Sequence, residues 1–172
     1  MSTLKPEVSS KDHIEGSDTA SITIVEFGDY QCPHCAHAYP IIKEIEQTFG
    51  DQIKFVFRHF PLQESHEFAF QAAVAAEAAA LQDKFWEMHD AIYDNQYRLS
   101  DDLFLELAET IGLDIEQFER DIQTETVKQK VEDDFESGVR SGVNGTPSFY
   151  VNGTKFDGGP EDLFEMLKES AE

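Results

Sequence analysis

Cysteine and positive charge are both scarce in this chain. Two of its 172 residues are Cys, and 13 Lys and Arg stand against 35 Asp and Glu, a net charge of −22. Two cysteines cannot build the multi-disulfide framework of a small secreted domain. The shortage of cations excludes nucleic acid and anionic membrane surfaces as partners, since both reward Lys and Arg. Long apolar runs are missing too: the best candidate, Ala72 to Leu81, is short and interrupted by Glu77, so no membrane insertion is expected. Met1 to Glu7 contains no apolar signal core. As it stands the sequence reads as a cytoplasmic protein; a leader removed from a precursor would leave the same sequence and a periplasmic or other extracytoplasmic protein. There is no internal repeat and no low-complexity block.

What is present is a globular composition, 40% hydrophobic with 14 Phe. The two cysteines lie three apart, in Cys32-Pro33-His34-Cys35. A β-branched run, Ser21 to Phe27, precedes them and breaks at Gly28-Asp29; a helical pattern follows. At the first turn of a helix, two sulfurs three residues apart can close a disulfide. Unpaired backbone N–H groups and the positive end of the helix dipole favour a thiolate there. The pair therefore reads as a redox dithiol, with Cys32 nearer the helix start and solvent.

Residues 1–18 are polar and aperiodic and read as a tail, with a short added strand near His13-Ile14. Ile22 to Phe27 is the first clear strand. Tyr39, Ile42, Ile45 and Phe49 recur at helical spacing until Gly50, with Pro40 predicted to kink the helix. Ile53 to Phe60 is a second strand, which completes a βαβ unit. The segment 64–142 is helical throughout. Ser65 is the predicted cap of an Ala-rich helix running to about Leu81, Asp83 to Tyr93 is a second helix, Ser100 caps a third, and Asp114 with Gln117 resembles a capping box for a short fourth. Val127, Val131, Phe135 and Val139 repeat along a last long helix. Asp101-Asp102 and Asp133-Asp134 read as solvated helix faces. Strands return at Ser148 to Val151 and Thr154 to Phe156, joined at Asn152-Gly153, before a final helix opening at Pro160. The organisation is βαβ, helical insertion, ββα: residues 19–63 and 143–172 form one α/β domain and 64–142 an all-helical insertion.

Three segments carry a resemblance: Val25 to Cys35, Lys84-Phe85-Trp86-Glu87-Met88-His89, and Gly142 to Phe149 with Thr146-Pro147 at its centre. In that order they resemble the DsbA-like thiol–disulfide oxidoreductases, which carry a thioredoxin fold with a helical insertion. The resemblance spans about residues 12 to 170. It implies that Cys32 is the nucleophile and Cys35 the resolving thiol. It also implies that Thr146-Pro147 is a cis-proline loop presenting backbone to an extended substrate beside Cys32. Pro33 and His34 between the cysteines resemble the disulfide-forming members, with His34 supplying an N–H donor or a positive charge near the sulfur. Glu26 takes the place of a buried acid that relays protons to the resolving thiol, its pKa raised by burial; an exposed strand-end glutamate is the alternative. The implied partners are protein or peptide thiols and disulfides, plus a redox partner that resets the dithiol. No cofactor is required.

Two readings from other classes stand beside it: a peptide-binding holdase on the same fold, and a metal or cluster carrier. For the latter, Cys32, His34, Cys35 and His37 supply N and S ligands, but no second cysteine pair or HxxxH is present to complete a zinc set. No metal ligand is therefore assigned. His59, His66 and His89 read as core or surface histidines, Trp86 as core, and Arg58 as the partner of some carboxylate.

Overall fold

The computed structural model describes residues 2–170. Five strands, β1 (His13–Gly16), β2 (Ile22–Gly28), β3 (Ile53–His59), β4 (Ser148–Val151) and β5 (Thr154–Phe156), form one sheet in the order β1-β3-β2-β4-β5. Seven helices accompany them: α1 (Pro33–Phe49), α2 (Ala69–Ala80), α3 (Phe85–Asp94), α4 (Asp101–Thr110), α5 (Ile115–Asp121), α6 (Glu125–Ser141) and α7 (Pro160–Ser170). Two compact units result. Within the described residues, one comprises 2–28, Pro33–Arg58 and 137–170; the other comprises Asp29–Cys32 and His59–Glu136.

In the first unit, β1 runs antiparallel to β3 with His13 opposite Phe57, and β2 runs antiparallel to β4 with Glu26 opposite Phe149. The hairpin turn is carried by Asn152 and Gly153, both at positive φ, the combination a two-residue loop needs to match the strand twist. Helix α1 buries Cys35, Ala38, Ile42, Ile45 and Phe49 along one face. It packs on α7, where the Phe49 and Phe164 rings meet edge to face at 6.2 Å. Pro40 lies inside α1, and the helix continues through it to Phe49.

The segment read as a tail does more than trail over its described residues, 2–18. Besides β1, Leu4 is buried, Thr3 bridges to Thr154, and the Lys5 N–H donates to the Ser141 hydroxyl at 2.8 Å. Arg58 meets Asp12 in a two-pronged, buried ion pair and also donates to the Pro6 carbonyl and the Ser137 hydroxyl. Sequence alone could not show this, because the aperiodic segment carries no pattern of its own.

The second unit is built around α2. Nine of its twelve residues are buried, seven of them alanine, so α3, α4 and α5 can pack on it from several sides. Alanine suits this, as the strongest helix former with no side-chain entropy to lose. Ser65 does not cap the helix. It begins at Ala69, and the N–H of Phe68 just before it is taken by the Gln31 side chain at 2.7 Å. Ser100 does cap α4, accepting from Leu103 N–H. Asp114 caps α5 through Gln117 N–H, but the Gln117 side chain turns forward to Asp121 instead of closing the box. Along α6, Val127 and Val131 are buried while Val139 is 57% exposed, so the four-residue repeat outruns the buried face. Asp134 corrects the solvated-face reading: it is buried, accepting the His59 N–H at 3.0 Å and Lys130 Nζ at 2.7 Å.

Candidate active site

Strand β2 delivers the chain to Gly28, where backbone passes close to packed side chains. A Cβ there would lie 2.5 Å from the Phe57 ring and 2.8 Å from a Glu26 carboxylate oxygen, which only glycine avoids. The next residues turn, with Cys32 N–H donating to the Asp29 carbonyl at 3.0 Å. Pro33 then opens α1 at the position where a missing N–H costs nothing. Cys32 thus sits immediately before a 17-residue helix and Cys35 in its first turn. That is the N-terminal end, where helix dipole and unpaired N–H groups favour negative charge.

Both cysteines are buried, Cys32 4% exposed and Cys35 0%. The expectation of a solvent-near Cys32 is therefore corrected in degree: its order relative to Cys35 holds, but little of it is open. Pro33 and His34 between them are exposed. Glu26 is 3% exposed, which excludes the strand-end surface glutamate. The Thr146–Pro147 peptide bond is cis, as is Lys5–Pro6. Thr146 and Pro147 help line a cavity of about 280 Å³ with Asn144, Ser148, Lys155 and Phe156.

The three residues before Cys32 carry no assigned role in the sequence reading. Asp29 is 1% exposed; its carboxylate accepts from Gln31 N–H at 2.7 Å, Leu62 N–H at 2.9 Å and His66 Nδ1 at 2.7 Å. Tyr30, also buried, pairs its hydroxyl with His89 Nδ1 at 2.8 Å, and its ring contacts those of His59, His89 and Tyr93. Gln31 holds the start of α2. The Gln96 amide donates to the carbonyls of Tyr30 and Cys32, each at 2.9 Å. His66 and His89, read as bystanders, are therefore partners of the segment that carries Cys32. Gly-Asp-Tyr-Gln before a CxxC was the available signal, since an Asp after a strand-ending Gly is suited to gather backbone N–H groups.

Among the described residues no group of three or more His, Cys, Asp or Glu is disposed to hold a metal ion. Among the described residues no helix is long and apolar enough to cross a membrane.

A family model described as thioredoxin matches residues 8–169. Among solved structures, the thiol-disulfide exchange protein alpha-DsbA2 of Wolbachia pipientis is 24% identical with a TM-score of 0.81, over 94% of this chain and 88% of that one. A thioredoxin-like oxidoreductase from Silicibacter pomeroyi is 27% identical with a TM-score of 0.78, over 95% and 94%. The chain is also 40% identical over 167 residues to the Na(+)/H(+) antiporter NhaA 1 of Mycolicibacterium vanbaalenii, a match that takes in 96% of this chain and 27% of the antiporter. It thus spans about a quarter of the length of the curated relatives it matches. With the helix-start dithiol and the sheet order in place, the match over nearly the whole chain decides the family: the chain belongs to the thioredoxin family, and its fold is that of the DsbA-like members with their helical insertion.

Proposed function

We propose that the chain is a thiol–disulfide oxidoreductase acting on protein or peptide thiols. The observation that carries this reading is the placement of its two cysteines immediately before and within the first turn of α1. The Cys32 thiolate attacks one sulfur of a substrate disulfide, forming a mixed disulfide and expelling one substrate thiolate. Cys35, losing its proton, attacks the Cys32 sulfur; the intramolecular disulfide closes and the second substrate thiolate leaves. Two electrons pass from the dithiol to the substrate, and each expelled thiolate takes a proton. Run in reverse, the same steps oxidise a substrate dithiol. Helix-start stabilisation of the thiolate stabilises the reduced pair and so biases the protein toward oxidising others.

The remaining roles follow the family resemblance. Buried Glu26 would take or return the Cys35 proton. His34, exposed between the cysteines, would add positive charge or an N–H near Cys32. Thr146 and Pro147 would offer backbone to an extended substrate, and the cavity they line supplies room beside it. The test is thiol–disulfide exchange with a dithiol peptide in a glutathione buffer. Wild-type protein should catalyse it and Cys32→Ser/Cys35→Ser should not; equal rates would refute the reading. The reduction potential from the same buffer gives the direction: well above the cytosolic glutathione poise means an oxidant suited to an extracytoplasmic compartment, and at or below it a cytoplasmic reductant.

A second reading is favoured by the 40% identity to part of a sodium/proton antiporter. On that reading the redox domain works beside a membrane transporter and exchanges disulfides with it. Cys35→Ser protein, which cannot resolve its mixed disulfides, would then carry a transporter peptide in the trapped adduct. Adducts with unrelated proteins alone would reject it.

A further inference from the structure

We propose that Gln96 is a positioning residue for Cys32, setting how far its thiol ionises; this rests on the oxidoreductase reading of the dithiol. The residues leading to Cys32 are pinned at several points by groups distant in sequence: Asp29 by Leu62 N–H and His66, Tyr30 by His89, and Gln31 by Phe68 N–H. Gln96 reaches Cys32 itself. Its single amide nitrogen donates to the Tyr30 and Cys32 carbonyls, each at 2.9 Å. A primary amide has two hydrogens, so its donor capacity is fully used. The residue opens a one-turn helix, Gln96–Arg98, directly after α3, which fixes the backbone from which the amide reaches.

Two consequences follow for the sulfur. Holding the carbonyls on either side of Gln31 and Cys32 fixes the peptide planes there, and with them the direction in which the Cys32 side chain leaves the chain. The stabilisation a helix start gives an anion fades within its first turn, so that direction governs how much of it the thiolate receives. The amide hydrogens also offset part of the negative charge on the carbonyl nearest the sulfur. Both effects favour the thiolate, hence the reduced pair.

Gln96→Met keeps chain length and apolar bulk but loses both donors, whereas Gln96→Lys restores donor hydrogens. Thiolate absorbance of the reduced protein is followed against pH, alongside the equilibrium with reduced and oxidised glutathione. Gln96→Met should lower the thiolate fraction about threefold at a pH below the Cys32 pKa, less than the full worth of a hydrogen bond because the carbonyls are bonded in both protonation states. The glutathione equilibrium should shift toward the disulfide form by the same factor, and Gln96→Lys should return both toward wild type. A folded Gln96→Met protein that titrates as wild type overturns the assignment. Should Gln96→Met fail to fold, Gln96→Glu replaces it: its carboxylate opposes both carbonyls, so thiolate loss in Glu but not in Lys is expected, and identical titrations overturn the proposal. The titration requires no turnover. A wild-type protein without exchange activity would therefore refute the oxidoreductase reading separately.

Discussion

Arg58 and Asp12 face each other across 46 residues as a buried two-pronged pair, Nε to Oδ1 at 2.8 Å and Nη2 to Oδ2 at 2.9 Å, with side chains 3% and 5% exposed. The same guanidinium donates to the Pro6 carbonyl, so one strand-end arginine holds the N-terminal segment at two places. Asp12→Ala would leave the charge buried and uncompensated. We expect a loss of roughly 3–5 kcal/mol, because breaking one side of a buried pair costs far more than a surface pair. A urea unfolding midpoint close to wild type would contradict this.

The two thiols should separate by phenotype. Cys32→Ser should abolish exchange outright. Cys35→Ser should retain attack but not resolution, accumulating mixed disulfides visible on non-reducing gels and cleared by dithiothreitol. Accumulation in Cys32→Ser instead would reverse the assigned roles.

Asp29 gathers two backbone N–H groups and an imidazole around one buried carboxylate. Asp29→Asn keeps the size but replaces one acceptor with an NH2 group. It should cost about 1–3 kcal/mol, the penalty for buried donors left unsatisfied. Amide hydrogen exchange at Gln31 or Leu62 should quicken first; unchanged protection at both would show that the carboxylate is dispensable.

Burial pushes the Tyr150 phenol up from its ordinary value of 10.0, and its hydroxyl donates to the Ser141 carbonyl at 2.6 Å. An acid whose folded pKa exceeds its unfolded one holds its proton more tightly when folded. Its contribution is therefore complete below the unfolded pKa of about 10 and is lost as pH rises through the folded pKa. Wild-type stability should fall above that pH with a component that Tyr150→Phe removes. Parallel stability curves for the two proteins across the alkaline range would argue otherwise.

On α6, sequence assigns Val131 and Val139 the same role, while the structure buries one and exposes the other. Val131 packs with Ala73, Val74 and Val127, so Val131→Ala should cost roughly 2 kcal/mol from lost burial and the cavity left behind. Val139→Ser should change stability by under about 0.5 kcal/mol, as surface substitutions do. Equal effects in thermal unfolding would contradict the burial pattern.

These contrasts show where sequence reasoning reaches and where it stops. Ser100, Asp114 and Asn152-Gly153 were legible because a cap or hairpin turn is settled within four residues. Ser65 misled because a plausible cap signal preceded Ala69, while the N–H it would have served was taken by Gln31, 37 positions earlier. Asp134 looked solvated beside Asp133, yet it turns inward to the backbone of His59, 75 residues away.

Sequence alone determined the order of strands and helices, the dithiol at a helix start, and the family motifs around it, because each is written in local spacing. Tertiary structure decided that Glu26 is buried and that Cys32 is almost fully covered. It also decided that Asp29, His66, His89 and Gln96 hold the segment leading to Cys32, with Gln96 reaching across 64 residues to that cysteine's carbonyl. The reason is physical: helix and turn signals depend on neighbours along the chain, whereas burial and polar pairing depend on which elements folding brings together.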